Sequence, residues 1–151
     1  MSVVECAFYL VHVFATISWL GAMYSNLVLI FPSYRAGAKD IQQERRMYQV
    51  QGTRAAYWLY AFIIFTFSSG IFLAVVQERS VLDSFLVIKI SLLSVMAACH
   101  LIGSYFIWPR IMFSLGDEVR RYLNRYQFTM LVSAALGSLV VVITYVEHLA
   151  K

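Results

Sequence analysis

The chain has 151 residues, of which 61% are hydrophobic and only 13% are charged. Soluble domains carry roughly a quarter charged residues, so this composition excludes an ordinary soluble enzyme or soluble binding module. The net charge is +4, but the basic residues are split between separate segments instead of forming one surface, which argues against a nucleic-acid-binding protein.

Four apolar stretches are each long enough to cross a membrane. A hydrocarbon core about 30 Å thick needs roughly 20 helical residues. The qualifying stretches cover residues 3–31, 56–77, 84–109 and 127–149. We therefore predict an all-α integral membrane protein in which residues 1–151 form a single domain, a bundle of four transmembrane helices. The first stretch lacks a basic leading region, so we expect it to be a permanent helix and not a signal peptide.

The distribution of arginine and lysine predicts the orientation. The connections at residues 32–55 and 110–126 carry nine basic residues, whereas the opposite side has only Arg79 and Lys151. Cytoplasmic loops of membrane proteins are enriched in these residues. We expect both basic connections in the cytoplasm, both termini outside, and the bacterial inner membrane as the location.

Two local features of the sequence affect the ends of the spans. Residues 36–52 form a polar, helix-like passage that is expected either to lie along the membrane surface or to extend the first two spans. Pro109 is expected to end or kink the third span. No internal repeat is apparent in the sequence.

Polar side chains recur every seven positions in the first span. At 100° per residue, seven residues return to within about 20° of the same direction, so these side chains form one stripe. Polar groups in a spanning helix usually face the bundle interior or a cavity. The stripe, which therefore marks a candidate site inside the bundle, consists of Glu5, His12, Trp19 and Asn26, with Met23 beside it.

The third span carries a similar face. Lys89 and His100 are eleven residues apart and share one side of the helix with Met96. Counted from the end that holds the termini, His12 is expected about 14 Å deep, Lys89 about 8 Å and His100 about 24 Å. His12 and Lys89 thus share one half of the membrane, while an offset of roughly 10 Å disfavours one iron held between the two histidines.

Several chemistries could use these groups. Imidazole in a four-helix bundle can ligate haem iron, which makes His12 and His100 candidate metal ligands. The same histidines could bind copper with Met23 or Met96 as soft partners, or they could line a proton path. A histidine that is simply hydrogen-bonded to a neighbouring helix also remains possible, as does a structural subunit without a cofactor.

The chain resembles the HemJ family of membrane protoporphyrinogen oxidases and the broader set of four-helix proteins that includes the copper-resistance CopD family. The resemblance lies in HVFATISWLG, which begins at His12 and contains Trp19, and in KISLLSVMAACH, which runs from Lys89 to His100. Gly70 and the pair Leu123 and Asn124 also match, and length and helix count agree over the whole chain.

The resemblance implies a b-type haem with His12 as an axial ligand and Lys89 as a required residue, with His100 as a second candidate ligand. The implied activity is oxidation of protoporphyrinogen IX, with a quinone or a partner protein removing the electrons and a homo-oligomer or larger membrane complex as the possible assembly. A haem-binding electron carrier or small subunit of a larger complex fits the same residues. Copper transport along His12, Met23 and Met96 is the third reading.

Overall fold

In the computed structural model, which describes residues 2–78 and 83–149, four long helices account for almost all of the chain. They are α1 (Val3–Gly37), α2 (Ile41–Val76), α3 (Ser84–Phe113) and α4 (Asp117–Leu149), and each is long and apolar enough to span a membrane. The predicted number and type of elements are confirmed. Arg79 and Lys151, on which part of the predicted orientation depends, lie outside the described residues.

α1, α2 and α3 each start where a side chain can satisfy free backbone N–H groups of the first turn. At the start of α1, Ser2 and Glu5 form a reciprocal capping box. The carboxylate of Asp40 accepts from the backbone N–H of Gln43 at the start of α2, and Asp83 caps α3 in the same way. Gly116, in the turn before α4, has a φ of +55°, which glycine adopts without steric cost.

All four helices are longer than the apolar stretches predicted, and all the extra turns lie at one end of the bundle. This end, which holds the connections at residues 38–40 and 114–116, is called the basic end below. The polar passage at residues 36–52 extends α1 and α2 and does not form a separate surface helix. Glu44 explains the extension, since it is buried in the bundle and its carboxylate lies 3.0 Å from the guanidinium of Arg120.

Pro109 does not end α3. The helix continues to Phe113, and a π-helical segment, Gly103–Ile107, immediately precedes the Trp108–Pro109 pair. α1 has the same arrangement, with a π segment at Asn26–Ile30 before Phe31 and Pro32. Proline lacks an N–H and crowds the carbonyl four residues earlier, so a locally widened turn lets the helix pass through it.

The bundle consists of two helical hairpins built on the same plan. α1 packs mainly on α2 and α3 mainly on α4. The two prolines are 77 positions apart in the sequence, and so are His12 and Lys89. Each of these last two side chains contacts the second helix of its own hairpin. Structural repeats occur in membrane transporters, and here the matching contacts of the two hairpins give the 77-residue spacing its meaning.

The contacts between hairpins are unequal. α1 lies close to α4, where the Tyr24 and Ser138 hydroxyls are hydrogen-bonded and Leu20 packs at Gly137. α2 and α3 meet mainly at the basic end, through the residues that follow the π segment of α3. On the side of that contact that faces away from the basic end, α2 and α3 leave a cleft between them.

Candidate functional site

His12 lies half-buried between α1 and α2, with its ring held by two acceptors. Its Nδ1 is 3.0 Å from the backbone carbonyl of Thr66 and 3.1 Å from Oγ of Ser69. A carbonyl can only accept, and the Ser69 hydroxyl gives its own proton to the carbonyl of Phe65. Nδ1 therefore carries the ring proton, and Nε2 presents the lone pair that can ligate a metal.

Gly70 provides the space for this imidazole. A Cβ at position 70 would lie 3.0 Å from Cε1 and 3.4 Å from Nδ1 of His12, and the two hydrogen bonds of Nδ1 restrict the ring's movement away from it. The sequence resemblance included Gly70 without giving a physical reason, and this contact supplies one.

We expect Gly70→Ala to destabilise the protein relative to a matched Gly21→Ala variant. A Cβ at position 21 would meet nothing within 4 Å, so Gly21→Ala reports the helix-propensity gain alone. Overpacking against His12 should make Gly70→Ala worse than the control by about 1–3 kcal/mol. Thermal unfolding in detergent measures the difference, and equal midpoints for the two variants would contradict the contact.

Lys89 forms an ion pair within the other hairpin. Its Nζ lies 2.6 Å from Oε2 of Glu147, and the two side chains are only 16% and 6% exposed. Lys89 is also near enough for its ammonium charge to act on the His12 imidazole. Lys89 is therefore largely buried and held in an ion pair with the last helix.

Glu147 is the member of this site that sequence reasoning missed. Its neighbour His148, at the same end of the last helix, is exposed. Glu147 is only 5% exposed and points into the bundle. Lys89 could have indicated a buried carboxylate, because a cation at membrane depth requires a counter-ion at a similar depth.

Trp19, Met23 and Met96 are buried in the hydrophobic core. The sulfur of Met96 occupies the space that a Cβ at position 137 would need, and Gly137 leaves that space free. Trp19 is completely buried, and its Nε1–H has no hydrogen-bond partner in the described part of the chain. These side chains therefore pack the bundle centre beneath His12, and Trp19 leaves a polar donor there without an acceptor.

His100 lies in a different place, on the wall of the cleft between α2 and α3. Its ring meets Tyr60 edge to face, with centroids 5.7 Å apart, whereas His12 contacts α2 at Thr66 and beyond. Six residues of helix correspond to about 9 Å, so the depth offset predicted between the histidines is reproduced along α2. Within residues 2–78 and 83–149, no group of three or more His, Cys, Asp and Glu side chains could hold a metal ion.

The remaining residues of the resemblance lie at the basic end. Leu123 is fully buried, and the Asn124 side-chain carbonyl accepts from the guanidinium of Arg35 at 3.1 Å. Asn26, the last member of the first-span stripe, accepts from the amide of Gln51 at 2.6 Å. Both amides tie α1 to its neighbours and lie away from His12, so we assign them to helix packing.

Comparison with protein-family models, curated proteins and solved structures finds no match to this chain. Function is therefore inferred from the site around His12. Its donor set fits one axial imidazole of a haem: His12 offers Nε2, a backbone carbonyl fixes its tautomer, and Lys89 places a cation nearby.

Proposed function

We propose that the protein is a haem b-binding membrane redox protein that oxidises protoporphyrinogen IX to protoporphyrin IX. The observation that carries the proposal is the hydrogen bond between Nδ1 of His12 and the Thr66 carbonyl, which leaves Nε2 as the ligating atom. Metal-ligating histidines usually donate their other ring N–H to a carbonyl or carboxylate in this way. The proposed location is the bacterial inner membrane, with the basic end in the cytoplasm.

Each residue of the site has a separate role in this proposal. His12 binds the iron, while Thr66 and Ser69 hold its ring in one orientation. Lys89 is held in an ion pair with Glu147, and an ammonium cannot ligate iron because it has no free lone pair. Lys89 is therefore assigned to electrostatic attraction of a haem or substrate carboxylate and not to iron ligation.

The chemistry that a bound haem supplies is one-electron transfer at a potential set by its surroundings. The chain contributes an apolar floor to this site, because Trp19 and Met23 are buried in the bundle beneath His12. Hydrogens lost by the porphyrinogen leave as electrons and protons, and a membrane-soluble acceptor takes them up. The substrate carries carboxylates, and among the residues that the structure describes Lys89 is the cation at this end of the bundle that can attract them.

Complementation tests the proposed reaction. A strain that lacks its protoporphyrinogen oxidase should regain haem-dependent growth when it expresses this chain, and His12→Ala should abolish the rescue while His148→Ala retains it. Membrane levels of the three proteins are measured in parallel by immunoblotting. If the unsubstituted protein accumulates normally with haem bound but fails to rescue growth, the reaction is wrong and a haem-based electron carrier is the better assignment.

A further inference from the structure

The cleft between α2 and α3 has the properties of a ligand site separate from His12. It has a volume of about 130 Å³ and lies toward the basic end of the bundle. Aromatic rings form much of its wall, and small residues leave room between them. The residues that matter most here are Gly52, Tyr60, His100, Ser104 and Trp108.

The repeat between the hairpins explains why this cleft is open. The position that corresponds to Tyr60, 77 residues later, is Gly137. At the seam between α1 and α4, Gly137 lets Leu20 approach so closely that an added Cβ would lie 2.7 Å from its Cδ1. At the seam between α2 and α3, the Tyr60 ring occupies the equivalent place and keeps the helices apart. Tyr60 also contacts the ring of Tyr105, which is 65% exposed on the bundle surface.

His100 supplies an unused polar group in this cleft. Its side chain is only 3% exposed, and its Nδ1 is buried without a hydrogen-bond partner among the described residues. A buried polar atom left unpaired is energetically costly, so such atoms usually indicate a missing partner. The partner must fit between aromatic rings and offer a hydrogen-bonding atom to an imidazole.

The wall of the cleft also selects against charged ligands. It contains hydroxyl, amide, indole and imidazole groups but no Asp, Glu, Lys or Arg among the residues that the structure describes. Burying a carboxylate or phosphate without a counter-charge is strongly unfavourable. A haem or a porphyrinogen, each of which carries propionates, therefore suits the surroundings of Lys89 better than it suits this cleft.

We infer that the cleft binds the ring of a quinone, with a carbonyl oxygen hydrogen-bonded to His100. A quinone is flat, uncharged and soluble in the bilayer, so it can reach a cleft between two spanning helices from the lipid. The binding of a quinone is inferred from the cleft alone, whereas the role of that quinone as the electron acceptor rests on the proposed function. In that use each quinone gains two electrons and two protons and becomes a quinol, so three quinones in turn accept the six electrons and six protons that one porphyrinogen loses.

Tryptophan fluorescence provides the test, because Trp108 lines the cleft and is one of only three tryptophans. The purified protein in lipid nanodiscs is titrated with a short-chain ubiquinone. We expect saturable quenching that Trp108→Phe removes. His100→Leu should weaken the apparent affinity about tenfold through loss of the hydrogen bond, while the matched His148→Leu variant binds normally.

A second matched pair covers the case in which His100→Leu fails to fold. Ser104→Leu fills the cleft and should abolish saturation, whereas Ser68→Leu, on the exposed side of α2, should not. Linear quenching that is equal in all variants would mean simple partitioning into lipid and would overturn the inference. Loss of haem absorbance in His100→Leu would overturn it too, since His100 would then be an iron ligand. A protein without haem that still shows saturable quenching contradicts the proposed function and leaves this binding site standing.

Discussion

Replacing His12 by alanine should abolish haem binding while leaving a folded bundle. The imidazole is the one side chain of α1 whose ring nitrogen is positioned by the backbone of α2, and alanine removes both its Nε2 ligand atom and its Nδ1 hydrogen bonds. The carbonyl of Thr66 remains bonded within its helix, so the structural cost should be moderate. The haem content per protein, measured by pyridine haemochromogen assay, should fall by at least tenfold.

Two further histidine variants serve as controls for this result. His148→Ala changes an exposed residue and should retain full haem content. His100→Ala changes the cleft between α2 and α3 and should also retain it, because His100 and His12 contact α2 at positions six residues or more apart. A His12→Ala protein with an unchanged Soret band would show that the iron ligand has been assigned wrongly.

Replacing Glu147 by leucine should be the most destabilising single substitution of those considered. It leaves the ammonium of Lys89 buried at 16% exposure without the carboxylate that lies 2.6 Å away. Removing one partner of a buried ion pair typically costs about 3–5 kcal/mol, because the remaining charge is no longer compensated. The thermal midpoint in detergent should fall markedly, and the yield of folded protein should fall with it.

The double variant Lys89→Leu with Glu147→Leu tests whether the broken ion pair causes the loss of stability in Glu147→Leu. Replacing a whole buried ion pair by apolar residues is often neutral or stabilising, so the second substitution should restore most of the lost stability. Glu118→Leu, on the exposed side of the first turn of α4, controls for the loss of a carboxylate as such. If the double variant is as unstable as Glu147→Leu, the ion pair is not the reason for the loss.

The repeated hydropathy of the chain was sufficient to predict the four spans and the inward stripe of α1. Trp19 and Met23 are buried as that stripe requires, because helical periodicity directly determines which side chains share a face. The helix ends at the basic end were predicted too short. There the polar residues are stabilised by partners on other helices, as Glu44 is by Arg120, and hydropathy carries no information on such long-range pairs.

The same limitation explains which parts of the site were missed. Lys89 could be placed at the correct end by counting residues, but its partner Glu147 is 58 positions away and lies in a span that looks exposed at its end. The cleft beside His100 depends on how far α2 stands from α3, which the size of Tyr60 determines only after the hairpins have packed. Distances between helices are properties of the assembled bundle and are not encoded in the pattern of any one span.

The absorption spectrum of the purified, unsubstituted protein tests the central claim most directly. The chain is expressed with sufficient haem supply, extracted in a mild detergent, and measured in its oxidised and dithionite-reduced states. We expect a Soret band and sharp α and β bands on reduction, at a stoichiometry near one haem per chain. A colourless protein that is helical by circular dichroism and elutes as a single species would contradict haem binding at His12.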